Sequence, residues 1–178
     1  YRLRYHNEHN MRGVGLTGRD DNFLLDRTRI YADYKINKRA RVFAEFLDAG
    51  SSYENFAPRQ IEVQRFDAQN LFGDLVLIDS DLGKLTGRAG RQELLFGSQR
   101  LLSPLDWANN RRRFDGARLT WSNEDRSTDL LLVRPENVNF NKFDSPNQNQ
   151  ALWGVYNTNK MLENGTIDTY YLGFEDTS

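Results

Sequence analysis

The sequence predicts an all-β chain, an antiparallel up-and-down transmembrane β-barrel, and three observations predict it. Apolar and polar residues alternate with period two through one segment after another, the pattern of strands with one wet and one apolar face. Long polar connections alternate with tight turns, as they do when successive hairpins close on opposite sides of a membrane. The composition joins polarity to aromaticity: charged residues make up 28% and aromatics 12%, at a mean hydropathy of −0.75. A disordered chain would lack the eleven Phe, eight Tyr and three Trp. A barrel with lipid outside and water inside averages to this mixture.

Residues 1–7 open the pattern, with Tyr1, Leu3 and Tyr5 on one face and Arg2, Arg4 and His6 on the other. The polar, glycine-bearing residues 8–22 read as a long loop. Residues 23–36 alternate again: Arg27, Arg29, Tyr31, Asp33 and Lys35 oppose Thr28, Ile30, Ala32, Tyr34 and Ile36. Asn37, Lys38 and Arg39 make a tight turn. Residues 40–47 set Arg41, Phe43 and Glu45 against Val42, Ala44 and Phe46, and residues 48–65 form a second long loop. Residues 66–78 read as a strand whose facing stays open, because Gly73 interrupts it as a bulge would. After a short turn at Asp81, Leu82 and Gly83 comes a strand at residues 84–96. Strict alternation puts its Arg88 and Arg91 on opposite faces; a bulge at Gly90 would turn both inward.

Residues 98–113 form the next long loop and carry four arginines, Arg100 and Arg111 to Arg113. The strand at residues 114–121 sets Arg118 and Thr120 against Ala117, Leu119 and Trp121. A polar turn at residues 122–126 leads to a strand at 128–134 that Pro135 stops. After the loop at residues 136–148 come a strand at 151–157, a hairpin signal at Asn164 and Gly165, and a last strand at 167–174. That makes about nine strands, an odd and narrow barrel if closed on itself. The alternating connection lengths place the N-terminus and the tight turns on the periplasmic side. A free edge in lipid would leave backbone groups unpaired. The barrel is therefore expected to be completed by the remainder of a longer protein or by a second copy. The strand pattern at Tyr1 suggests a processed or trimmed N-terminus.

Other classes find little support. With no cysteine there is neither a disulfide framework nor a thiolate metal site. No run approaches the roughly 18 apolar residues of a spanning helix, so insertion would have to be by strands. His6 and His9 have the spacing of two ligands on a helical turn, but they sit where a strand passes into a loop, so no metal site is expected. The carboxylate pairs Asp20 and Asp21, Asp79 and Asp81, and Glu124 and Asp125 fall in turns and read as solvated charge. No catalytic residue and no cofactor is expected, and a net charge of −1 carries no nucleic-acid footprint.

Nineteen arginines against five lysines are the strongest chemical signal, because the guanidinium fork pairs carboxylates bidentately and tolerates partial burial. A GC-rich genome would give the same bias. Arg4, Arg27, Arg29, Arg41, Arg118 and Arg134 fall opposite the apolar face or close to it, and Arg91 joins them if the Gly90 bulge exists. Strands lie about 4.8 Å apart, so these groups would form a stripe along one wall. A ring of Arg lining a pore selects anions. Asp33 and Glu45 on the same face would order the arginines and keep a ligand from binding too tightly to leave. The alternative is that arginines and acids merely satisfy one another and stiffen the wall. Tyr5, Tyr34, Trp121, Tyr170 and Tyr171 lie near strand ends, where interfacial girdles occur. Trp107 suits a rim anchor or a loop-core residue, with sugar stacking as a further reading. Arg111 to Arg113 are expected in an external loop, meeting lipopolysaccharide or solvent.

Several motifs recur in order: GRQEL at residues 90–94, then Gly97 and Arg100, an Asn at 109 or 110 before FDG at 114–116, Arg134-Pro135, and QALWGVY at 150–156. Together they resemble the alginate-export family of outer-membrane β-barrels, most clearly over residues 66–156. The resemblance implies a barrel of roughly eighteen strands, wide enough for an aqueous channel, with residues 1–178 as its N-terminal half. It further implies an outer-membrane channel of a Gram-negative bacterium, for export or diffusion of an anionic polysaccharide or oligosaccharide such as alginate. Outer-membrane lipid and lipopolysaccharide would surround it. Arg4, Arg27, Arg91 and Arg134 then become the foremost members of a polyuronate-selecting lining. A general anion porin and a soluble all-β carbohydrate-binding module remain as other readings. The soluble module would pack Ile30, Tyr34, Phe46 and Leu119 together in a core.

Overall fold

A backbone whose side chains alternate between two environments is satisfied by a sheet in which every strand bonds its chain neighbour, and the computed structural model is such a sheet. It describes residues 1–13, 16–162 and 165–178. The strands are β1 (Arg2–Gly13), β2 (Leu16–Lys35), β3 (Ala40–Ser52), β4 (Gln64–Ser80), β5 (Gly83–Gln92), β6 (Phe114–Ser122), β7 (Arg126–Asn137), β8 (Ser145–Pro146), β9 (Gln150–Leu162) and β10 (Gly165–Asp176). All pairings are antiparallel and the order is β1-β2-β3-β4-β5-β6-β7-β9-β10, with the two-residue β8 attached to β7. The sheet is not closed: β1 and β10 are its edges. The all-β antiparallel expectation is met, and no helix of the described residues is long and apolar enough to cross a membrane.

The two faces differ as the alternation requires. One is bare and apolar, exposing Leu3, Tyr5, Ile30, Tyr34, Leu71, Leu75, Leu130, Leu132, Trp153 and Tyr171. Of the four residues that a compact core would gather, Ile30 and Tyr34 are each 68% exposed, and Phe46 and Leu119 are half-buried. The other face is covered by the long connections. Leu94, Phe96 and Leu102 leave the sheet after β5 and pack on Phe114, Leu131, Val133, Leu152 and Tyr156 of the strands behind them.

Four sequence readings change. Residues 8–22 are not a loop: β1 and β2 stay paired there, with Asn7 opposite Asn22 and Glu8 opposite Asp21. The sequence there is polar with no apolar alternation, so its pairing leaves no periodic signal. In the β3–β4 and β4–β5 ladders the register shifts lie between Glu45 and Phe46, between Leu47 and Ala49, and between Val76 and Ile78. The register runs unbroken through Gly73 and Gly90, so Arg88 and Arg91 do point to opposite faces. β4 is thereby oriented, with Phe72 and Val76 buried and Leu71 and Leu75 on the bare face. Finally, Pro135 does not stop β7. It pairs with Phe114, while β9 bonds β7 only as far as Val133, so the missing N–H costs no rung. Gly165 begins β10, and Asn164 of the predicted hairpin lies outside the described residues.

Gly90 explains one recurring motif. It faces Gly116 across β5 and β6, at a φ of +122° that side chains rarely adopt. An added Cβ would meet the Leu71 carbonyl oxygen and lie 2.9 Å from Phe72 Cα. Gln92, fully buried two residues on, donates through Nε2 to the carbonyls of Gly90 and Gly116 at 3.4 and 3.3 Å. Gly90→Ala should therefore cost about 1–3 kcal/mol, the range for a residue forced into a sparsely populated backbone region. A urea midpoint for folding into lipid vesicles unchanged from wild type would contradict this.

Candidate functional site

Charged side chains on the covered face stand in rows because register places them opposite one another. Arg41, Asp74, Arg88 and Arg118 occupy one rung across β3, β4, β5 and β6. Arg41 donates to Asp33 at 2.7 Å and to Asp74 at 3.1 Å, and Arg88 reaches Asp74 at 2.7 Å. Arg118, beside Arg88 and of like sign, turns instead to Asp129 on β7 at 2.7 Å. The Phe72 ring lies beneath the Arg88 guanidinium, 3.6 Å from its centroid, an arrangement that draws the cation to the aromatic face. One step nearer the long loops, Arg29 is ion-paired with Glu45, whose other oxygen accepts from Asn70 Nδ2 at 2.8 Å.

A third group lies where β1 and β2 meet the tip of loop 93–113. Arg2 and Arg27 are register partners, and Arg4 follows on the same face. Their partners are mainly loop carbonyls: Arg2 Nη2 to Ala108 O at 2.8 Å, Arg4 Nη1 to Trp107 O at 2.6 Å, Arg27 Nη1 to Ala108 O at 3.1 Å. Asn109, almost wholly buried, directs Nδ2 at the carbonyls of Asp26, Gly50 and Glu62 at 2.8, 3.1 and 3.0 Å. The loop is thus stitched to β2, to β3 and to the connection at residues 53–63.

The rim is locked by a buried ion-pair cluster. Arg113, 3% exposed, bonds Asp67 at 2.5 Å, Asp144 at 2.6 Å and Glu136 at 2.7 Å. Arg91 bonds Asp67 and Asp115, each at 3.1 Å, pairs with Glu136 and donates to the Asp144 carbonyl at 2.8 Å. The carboxylates of Asp67, Glu136 and Asp144 converge as a metal-ligand set would. Arg113 and Arg91 bring two positive charges to these three carboxylates and hold them together through ion pairs. Burial pushes the Asp144 carboxyl above its ordinary range, while the Asn139 N–H and Arg113 pull it back. Burial likewise raises Glu93, against the pull of Arg111 at 3.0 Å.

The predicted residues therefore fall into separate places. Arg29 meets Glu45, Asp33 meets Arg41, and Arg118 stands with Asp129. Arg4 and Arg27 lie under the loop tip. Arg91 and Arg134 share a rung with Leu71 and Asp115, the parity of the bare face. Without a Gly90 bulge nothing turns Arg91 inward; it folds into the rim cluster, and Arg134 donates to Gln148 O at 2.8 Å. Arg113 and Arg111 are built into the loop scaffold, whereas Arg112 is exposed. Asp74 and Asp129 were not among the sequence candidates, and Arg88 was turned inward only through the supposed Gly90 bulge; strand parity alone places all three on the covered face. Asp67 and Asp144 carried no periodic signal at all.

The family described as Alginate export matches residues 1–178. No curated protein and no solved structure matches the chain.

Replacing Arg113 by Met keeps bulk but strips three buried carboxylates of their shared cation. Removing one partner of a buried pair costs about 3–5 kcal/mol. The variant should lose that much stability, and protease should cut loops 93–113 and 138–149 faster than in wild type. Unchanged loop protection would show that the cluster does not hold them.

Proposed function

We propose, from the premise that this chain belongs to the alginate export family, that its covered face lines a water-filled path through the outer membrane for an anionic polysaccharide or oligosaccharide. The bare face meets lipid in this reading. The observation that carries it is the contrast between the faces: exposed Leu, Ile, Tyr and Trp on one, ordered rows of guanidinium and carboxylate on the other. An apolar band facing hydrocarbon and a polar interior are the two requirements of a spanning barrel. Further strands, from the remainder of a longer protein or from a second copy, would close the edges at β1 and β10, and residues 1–178 form the N-terminal half of that barrel. The long loops lie outside the cell and the tight turns face the periplasm.

Selection in this channel is electrostatic. The four arginines Arg29, Arg41, Arg88 and Arg118 are answered by Glu45, Asp33, Asp74 and Asp129, so these rows hold a passing anion weakly. The excess positive charge lies near the rim, at Arg2, Arg4 and Arg27, whose described partners are mostly neutral carbonyls. An excess cation at a constriction favours anions, and balanced pairs beyond it let them leave. The reading is transport, supported by the engagement of the wall carboxylates Glu45, Asp33, Asp74 and Asp129 by arginines.

The test is conductance of the intact protein in a planar bilayer under a salt gradient. The reversal potential should favour anions, oligouronate should block the current, and Arg4→Gln with Arg118→Gln should weaken both effects. Anion preference without oligouronate block would point to a general anion porin. A protein that stays monomeric and soluble in plain buffer would contradict the channel altogether.

A further inference from the structure

We infer that Trp107, with Arg4 beside it, forms a binding subsite for a single uronic-acid residue of the anionic saccharide, the indole taking the apolar face of the sugar ring and the guanidinium its carboxylate. This rests on the channel reading above and names a subsite within it.

Exposure and rigidity together set Trp107 apart. It is 62% exposed, while Ala108 and Asn109 beside it are 2% and 1% exposed. An aromatic side chain this exposed usually sits on a loose segment, but this backbone is held from several directions. Arg4 holds the Trp107 carbonyl, Arg2 and Arg27 hold that of Ala108, and Ala108 N–H donates to Leu105 O at 2.9 Å. Asn109 and Asn110 both donate their N–H groups to Ile61 O, at 2.9 and 2.8 Å. An aromatic plane presented on a fixed backbone loses little freedom when a ligand stacks on it, which is where preorganised sites gain affinity.

The cations beneath supply the second half. Among the described residues, no carboxylate lies within ion-pairing distance of Arg2, Arg4 or Arg27. The nearest acid along the loop, Asp106, is 70% exposed at its side chain and pairs with Arg111 at 3.5 Å. Among the described residues, the Arg4 guanidinium bonds a neutral carbonyl, that of Trp107. A carboxylate accepts a charge-assisted bond from such a group roughly twice as strong as a neutral acceptor does. A uronic-acid ring carries both features the subsite matches, an apolar C–H face and a carboxylate on its rim. A neutral sugar would engage only the indole, and a small anion only the arginine.

The intact protein in a planar bilayer separates these contributions, with residence time of block read for an oligouronate and for a neutral oligosaccharide of the same length. Trp107→Ala should shorten block by the oligouronate at least about fivefold, equivalent to about 1 kcal/mol. Trp107→Phe should restore most of it. Arg4→Gln should bring oligouronate residence down toward that of the neutral oligosaccharide. Residence unaltered by Trp107→Ala in an anion-selective, blockable channel would overturn the subsite and leave the channel reading standing. A wild-type protein that oligouronate does not block at all would overturn both.

Discussion

The rest of the structure depends on the buried cluster around Arg113. One guanidinium and its neighbour Arg91 draw together Asp67 at the head of β4, Glu136 near the end of β7 and Asp144 in the loop beyond it. That convergence ties the connections at residues 93–113 and 138–149 to β4 and β7. Burying so many charges is unfavourable unless each finds good partners, and here Gln64 and Gln69 take further positions in the same network. The cluster therefore specifies a loop arrangement more than it adds net stability. It makes the difference between a bare sheet and a sheet with a structured mouth.

From that constraint the division of labour among the arginines follows. Those at the rim hold loops, those in the middle of the wall stand in compensated rows, and those under the loop tip keep most of their charge uncompensated. A channel whose every cation were paired would pass anions indifferently, and one lined only by free cations would retain them. In the channel proposed above, the gradient from paired rows to an excess at the tip would sit between these limits.

How much of this was legible in the sequence can be argued from single residues. Ile30 and Tyr31 were assigned to opposite faces by period two alone, and the sheet places them so. Glu45 and Arg29 were put on the covered face from the same alternation and are found paired. Parity failed where a register shift intervened or was wrongly supposed: Gly90 suggested a bulge because glycine in a strand often marks one. The structure uses it instead for a positive φ beside a neighbouring strand's carbonyl. Arg113 was assigned to solvent because a triple arginine in a polar loop ordinarily lies there. Its burial depends on Asp67, Glu136 and Asp144, distant residues, and no local pattern encodes such a meeting. The motif GRQEL, which made the family recognisable, proves to be architectural. Gly90 and Gln92 set the strand end, Arg91 and Glu93 tie it to the rim, and Leu94 enters the core.

The central claim is that successive residues of one strand face hydrocarbon and water in turn. Ile30 and Tyr31 test it well, being adjacent in β2 and exposed to similar degrees, 68% and 70%. Because the chain contains no cysteine, a single one at either position can carry a nitroxide without background. In lipid vesicles the label at 30 should relax fastest with oxygen, which concentrates in the bilayer, and the label at 31 with a water-soluble nickel complex. Equal access of the nickel complex to both positions would contradict the account.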